Sequence, residues 1–335
     1  MVGAHACTSA SNGAVVQRAG LIAGVAVLAL AFGASSAQAG WSTPTDQTAG
    51  SGASASTSAK IAYAPDGSRT VLWVNGTTVQ MRRFTAAGVG GSVVSLSASG
   101  GVIGSQQIAY ASDVSSTAVW SRVNNSKFRI QAVRISATGT VGTVTDVSIA
   151  GENAQNPYIA YAPNGSSTIA WYRSASGAFE YEYARVTAGG SFGSPVLLEG
   201  TSISPTPPQV AYASDNSSTI VWNKLTNSYT LIRMARFDAN GAPISTTTLS
   251  TAFHTSLTPQ VAYASDKTAT VAWSEFLDTN YVIRARRIAA DGTAAAEFSV
   301  SGEGSGAATS PSLAYAPNGS AVIAWERLVG NHLAQ

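Results

Sequence analysis

Glu180-Tyr181-Glu182-Tyr183 is the segment of this chain best suited to acid/base chemistry. Two carboxylates at i and i+2 of a strand share one face and stand roughly 6.5–7 Å apart along it. Carboxylate pairs at such separations cleave glycosidic bonds, one group as acid and the other as base or nucleophile. The same residues also suit plain ion pairing. Repeat register sets Glu180 against Arg129 of the unit before and Glu182 against Arg233 of the unit after, and salt bridges to those arginines are the expectation. Glu180 and Glu182 are thus catalytic candidates beside a non-catalytic main reading.

Other chemistry is sparse. Beyond the first 39 residues there are two histidines, His254 in a connector and His332 near the end, so no metal-ligand spacing and no Ser-His-Asp order is formed. His254 reads as an exposed loop residue. No glycine-rich phosphate loop opens a helix, and no cofactor or metal is called for. Trp41, His254, Tyr181 and Tyr183 depart from the repeat described next, which makes them candidates for ligand contact.

The elements that must position these groups come from a unit repeated six times. A Tyr is followed ten residues later by a Trp at Tyr63/Trp73, Tyr110/Trp120, Tyr161/Trp171, Tyr212/Trp222, Tyr263/Trp273 and Tyr315/Trp325, and successive Tyr residues are 47, 51, 51, 51 and 52 apart. An Asx stands three residues after every Tyr (Asp66, Asp113, Asn164, Asp215, Asp266, Asn318). An Arg closes the third segment of the five complete units (Arg83, Arg134, Arg185, Arg236, Arg287), and a Gly follows each by five residues. In the fourth unit, PQVAYAS, TIVWN, LIRMARF and PISTTTL read as four strands separated by Asx and Asn-Gly turns. Four short strands in about 50 residues is one propeller blade.

The fold class expected is therefore all-β, a β-propeller of about six four-stranded blades, as one domain over 40–335. The Tyr strand is innermost, because only the connector before it is long enough to cross a blade. Residues 43–50 resemble 143–151, an outermost strand, and could complete the sixth blade, which stops at Gln335 before its closing Arg. A fragment with a seventh blade stays open. The repeated Tyr and Trp read as packing between blades, the Asx residues as turn formers rather than calcium ligands, and the Arg residues as ion pairs or packed stems.

Arg18, the apolar run 21–34 and Ala37-Gln38-Ala39 have the order of a secretory signal peptide over 1–39. Its removal takes away Cys7, the single cysteine. Lys plus Arg is then 18 against 17 acidic residues, since of the 19 basic residues only Arg18 is lost. That balance gives no basic face for nucleic acid. A secreted protein, extracellular or periplasmic, is expected, with no membrane insertion after cleavage and as a monomer.

IAYAPDGSRTVLW (61–73) and IAYAPNGSSTIAW (159–171) resemble the turn of TolB-type and WD-repeat-like bacterial propellers. The resemblance spans 61–327, implies a propeller used as a scaffold, and carries over no functional residue. Asp215-x-Ser217-x-Thr219 is similar to part of the sialidase Asp-box, without its leading Ser and its aromatic after the Thr. The expectation is a non-catalytic binding module or scaffold whose partner is extracellular glycan or protein. The alternatives are a sialidase-like or other glycoside hydrolase, and a structural repeat module of a larger surface protein.

Overall fold

The computed structural model describes residues 56–175, 177–202, 205–226, 228–302, 306–329 and 332–334, so the leader, Trp41 and residues 43–50 lie outside the described residues. Every element among the described residues is a strand. Five sheets have four strands each, over 56–95, 103–146, 153–202, 209–248 and 255–299, and a sixth has three, over 308–334. Strand order in every sheet follows chain order, and neighbours run antiparallel. The architecture is β-propeller-like. No helix of the described residues is long and apolar enough to cross a membrane.

Within each unit the Tyr closes the first strand and the Trp sits inside the second, as at Gln209–Tyr212 and Ser218–Thr226. The intervening turn is an Asx turn: Asp66, Asp113, Asn164, Asp215, Asp266 and Asn318 each accept the backbone N–H two residues on through Oδ1, at 2.9–3.0 Å. A side-chain oxygen that satisfies a turn N–H is reason enough for an Asx at that place. The four acidic members of that series are held below the usual carboxylate range, chiefly by these hydroxyl and backbone bonds.

Apolar burial lies between sheets rather than within one. Trp120 packs with Leu72 and Met81 of the first sheet, Trp171 with Val119 and Ile130 of the second, Trp222 with Ala170 and Tyr181 of the third, and Trp273 with Val221 and Ile232 of the fourth. Each Trp thus fills the space over the preceding sheet. The Tyr reaches the same way: its hydroxyl stands 2.6 Å from a threonine hydroxyl of the preceding sheet in Thr70–Tyr110, Thr117–Tyr161, Thr168–Tyr212, Thr219–Tyr263 and Thr270–Tyr315. First strands of successive sheets accordingly lie side by side along the whole row, as the connector lengths require of innermost strands.

Two further devices repeat. The arginine that closes a third strand reaches the turn of the next sheet, where Arg83 Nη1 donates to Ser136 O at 3.2 Å and Arg236 Nη2 to Ala290 O at 2.6 Å. The turn it meets needs glycine twice over. Gly190 has φ of 90°, and a Cβ there would stand 2.9 Å from Arg134 Cδ. The first strands also carry a bulge at one repeat position, with Ser58, Asn156, Thr258 and Ser310 in left-handed backbone at φ 57°, 53°, 52° and 54°. Bulges of this kind bend a strand and re-aim the residues beside it.

Among the described residues the Tyr–Thr series has two ends. Tyr63 at its head is 52% exposed, and Val322, at the position where the other sheets place their threonine, is 54% exposed. Among the described residues no Thr–Tyr bond joins the sixth sheet to the first. This contrast predicts that Thr219→Val, which leaves the Tyr263 hydroxyl unpaired inside a joint, destabilises the chain by about 1–2 kcal/mol in urea unfolding. Tyr63→Phe at the exposed end should stay within about 0.5 kcal/mol of the parent.

Candidate functional site

Antiparallel strand order gathers the connectors before each first strand and the hairpins between second and third strands at one end of the molecule. The Asx and glycine turns occupy the other. Ionisable side chains concentrate at the first end, across the third to fifth sheets. The reason is visible in the repeat: the residue two after each Trp is Asn75, Arg122, Arg173, Lys224, Glu275 or Arg327. This position is as variable in charge as the Trp is constant.

In the third sheet it is Arg173. The register of Ser167–Ala175 with Ala178–Val186 sets Arg173 directly across from Glu180 and Trp171 across from Glu182. Arg173 Nη2 lies 2.5 Å from Glu180 Oε2, Nε lies 2.9 Å from Glu182 Oε1, and Nη1 contacts Glu152 of the connector. One guanidinium therefore serves three carboxylates. Glu182 is sealed in, with 3% of its side chain exposed, and accepts a 2.9 Å bond from Trp171 Nε1. Glu180 and Glu152 keep 25% and 20% exposure and face the solvent side of the cluster. Gly200 pairs with Glu180 on the following strand, so no side chain covers the carboxylate from that direction.

The expected partners of the two glutamates are corrected by this register. Arg129 bonds Asp146 at 2.7 Å and Arg233 bonds Glu199 at 3.0 Å, while Glu180 and Glu182 both turn to Arg173 in their own sheet. Directly opposed side chains on one sheet face start only about 5 Å apart, and stacked sheets lie about 10 Å apart. Arg173 and Glu152 were not singled out by sequence reasoning; the charge variation two residues after the Trp was the signal that could have found Arg173.

The arc continues around this end. Glu199, on the last strand of the third sheet, accepts from Lys224 Nζ at 2.5 Å and from Arg233 Nε at 3.0 Å. Burial raises its pKa, but the two cations outweigh burial and hold the carboxyl below its ordinary value. In the fifth sheet the buried Glu275 takes Trp273 Nε1 at 3.1 Å and lies 3.1 Å from His254 Nδ1. His254, expected as a plain loop residue, is 37% exposed and paired. Burial, and then the nearby Glu275, push the Glu297 carboxyl upward.

Tyr181 and Tyr183 stand between the third and fourth sheets. Tyr181 donates to Asn223 Oδ1 at 2.5 Å, and the Tyr183 ring lies 5.1 Å from that of Phe237. Their bulk packs a joint and offers little face to a ligand. Among the described residues no group of His, Cys, Asp and Glu is arranged to hold a metal ion. A cavity of about 350 Å³ opens at the opposite end against Asp66 and Arg83. Those groups are already engaged in an Asx turn and an inter-sheet contact, so the ionisable end is the candidate site.

Burial, then Glu152 and Glu180, raise the Glu182 pKa above its ordinary 4.5, with Arg173 and the Trp171 bond opposing. The folded chain therefore holds this proton more tightly than the unfolded chain. Stability from Glu182 is complete below the unfolded pKa and is lost as pH rises through the folded one. Glu182→Gln should thus gain stability relative to the parent as pH rises from about 4 to 8, read as the urea midpoint at each pH. The amide can accept from Trp171 as Gln131 accepts from Trp120 at 3.1 Å.

No known protein family and no curated protein matches the chain. Solved structures match its fold. An ulvan lyase of polysaccharide lyase family PL25 superposes with a TM-score of 0.53 at 9% identity, over 79% of this chain and 78% of the lyase. An endo-arabinase from Bacteroides thetaiotaomicron reaches 0.42 at 11% identity, over 79% and 86%. The Hadza microbial sialidase Hz136 reaches 0.47 at 9%, over 82% and 66%. The expectation of a non-catalytic binding module or scaffold is corrected here: the structure that superposes on this fold with a TM-score of 0.53 is that of a polysaccharide lyase, and this chain sets partly exposed carboxylates around one guanidinium at its ionisable end.

Proposed function

We propose that this protein is a glycan-cleaving enzyme, a glycoside hydrolase whose acid/base pair is Glu180 and Glu152 on Arg173. The observation that carries the reading is the three-to-one ratio of carboxylates to guanidinium in a half-buried site. Glycosidic cleavage passes through an oxocarbenium-like transition state. A site with more carboxylate than cation stabilises that developing positive charge, and its low-dielectric surroundings strengthen the effect. Burial and the neighbouring carboxylates hold the Glu182 carboxyl above its ordinary value, so a proton is retained beside the two outer carboxylates. Arg173 fixes the two outer carboxylates relative to each other, and Glu182 beneath fixes Arg173.

The roles divide by exposure. Glu180 and Glu152 can touch a sugar, whereas Glu182 acts through Arg173 and is a positioning residue. The signal-peptide order expected over 1–39 is in keeping with action outside the cytoplasm on extracellular polysaccharide.

The test is turnover of a polysaccharide panel that includes arabinan and ulvan, followed by reducing-end release for hydrolysis and by ultraviolet absorbance for eliminative cleavage. Glu180→Gln and Glu152→Gln should each lower kcat by about 10²–10⁴-fold with little change in KM. Glu182→Gln should retain much more activity and shift the pH profile. Parent-like turnover in both Glu180→Gln and Glu152→Gln would remove the pair from the mechanism, and unsaturated products would reassign the reaction as a lyase.

A further inference from the structure

Phe253 is 75% exposed and sits in left-handed backbone at φ 79°. A bulky aromatic is rare in that region, and the strain is normally offset by burial or function. Here little is buried. The ring meets that of Tyr229, itself 38% exposed, edge to face, with centroids 6.0 Å apart and planes at 81°. Between them lies a cavity of about 200 Å³ lined by Thr226, Ser228, Tyr229, Leu231, Ala252 and Phe253. Tyr229 opens the third strand of the fourth sheet, where the neighbouring sheets place Lys127, Ala178 and Asn280. Both aromatics are thus departures from the repeat, brought together from a hairpin and a connector at the ionisable end.

We infer that this notch is a binding subsite for one uncharged sugar ring of a polysaccharide, one to two sheets away from the Arg173 cluster. Two aromatic walls at right angles offer an apolar face to a ring's C–H groups. Thr226 and Ser228 at the rim supply hydroxyls that can exchange bonds with sugar hydroxyls. The site is small for a drug-sized ligand, which takes about 300–1,000 Å³, and suits a single ring.

Charge narrows the ring to a neutral one. Lys224 and Arg233, the nearest cations on the same hairpin, are both engaged by Glu199. Leu231 stands across from Lys224 in the strand register and gives the notch an apolar floor. His254, next to Phe253, is turned to Glu275. Lys224, Arg233 and His254 are thus all committed to glutamates rather than held for a uronate. The inference rests on the glycan-cleaving reading, and it adds where the chain is gripped and what kind of residue is gripped.

Affinity electrophoresis of the folded protein through gels containing arabinan, xylan or mixed-linkage β-glucan, with polygalacturonate and ulvan as charged probes, tests it. Retardation should appear with at least one neutral polysaccharide and persist in Glu180→Gln. Phe253→Ala and Tyr229→Ala should weaken it at least about tenfold in Kd, a loss typical of aromatic anchors, and Phe253→Trp should retain it. Parent-like retardation in both alanine variants, retardation by the charged probes alone, or none by any probe would overturn the subsite. So would a change of oligomeric state in Phe253→Ala with glycan binding intact, since the aromatics would then face another protein. If Glu180→Gln abolishes turnover while both alanine variants bind normally, the subsite fails and the acid/base pair stands. If Phe253→Ala loses binding while Glu180→Gln and Glu152→Gln turn over normally, the pair fails and the subsite stands.

Discussion

A tyrosine hydroxyl that reaches 2.6 Å to a threonine of the preceding sheet recurs at five successive joints, and the remaining architecture follows from it. The bond links two groups that would each be destabilising if buried alone. It also fixes how far one first strand stands from the next. The Trp behind it then has a defined space to fill, and Trp73, Trp120, Trp171, Trp222 and Trp273 are all essentially buried. Directly across the strand register from that threonine stands the arginine, which reaches toward the next glycine turn. Each of these five joints is thereby pinned at the inner strands by a neutral hydrogen bond, and two of them also at the outer turn by a cation on a backbone carbonyl.

Apolar cores and the Tyr–Thr bond recur from joint to joint, whereas the ionisable groups vary, and some of them cross between sheets as Glu199 does to Lys224 and Arg233. The Arg173 cluster illustrates the contrast. Burying Glu182 at 3% exposure beside two further carboxylates is unfavourable for folding, yet nothing in the joint geometry demands it. The second sheet places Gln131 at the equivalent position against Trp120 and keeps the same indole bond. Charge at this position is thus an addition to the scaffold, and a buried ionisable group of that sort is a functional-site candidate.

Much of this scaffold could be read from the sequence because it repeats. Tyr63 to Trp325 gave the unit, Asp215 and its equivalents gave the turn, and connector length gave the strand order. What repeated was structural, and it was legible because identical backbone geometry demands identical residues. The site was harder for the opposite reason. Glu180 and Glu182 stood out as departures, but their partner depended on cross-strand register, which pairs Arg173 with Glu180 only once the hairpin at Gly177 is known. Glu152 arrives from a connector, whose path no periodicity describes. The left-handed backbone of Phe253 has no signature in composition at all.

The sameness of the joints has a consequence for how such a chain can change over generations. A unit carries on its own residues both halves of the connection: the Tyr that reaches back, and the Thr and Arg that reach forward. Cutting a gene between two equivalent points and inserting or removing one unit would therefore leave every remaining joint intact. A third unit moved behind the fifth would keep its repeated contacts but would leave behind the partners that Glu199 and Tyr183 have in the fourth, Lys224, Arg233 and Phe237. Copy number and order of units then become cheap variables, while the loops at the ionisable end travel with their units as exchangeable cassettes. Val322, exposed where each of the five joints has a threonine, is the unit face that lacks this common fitting.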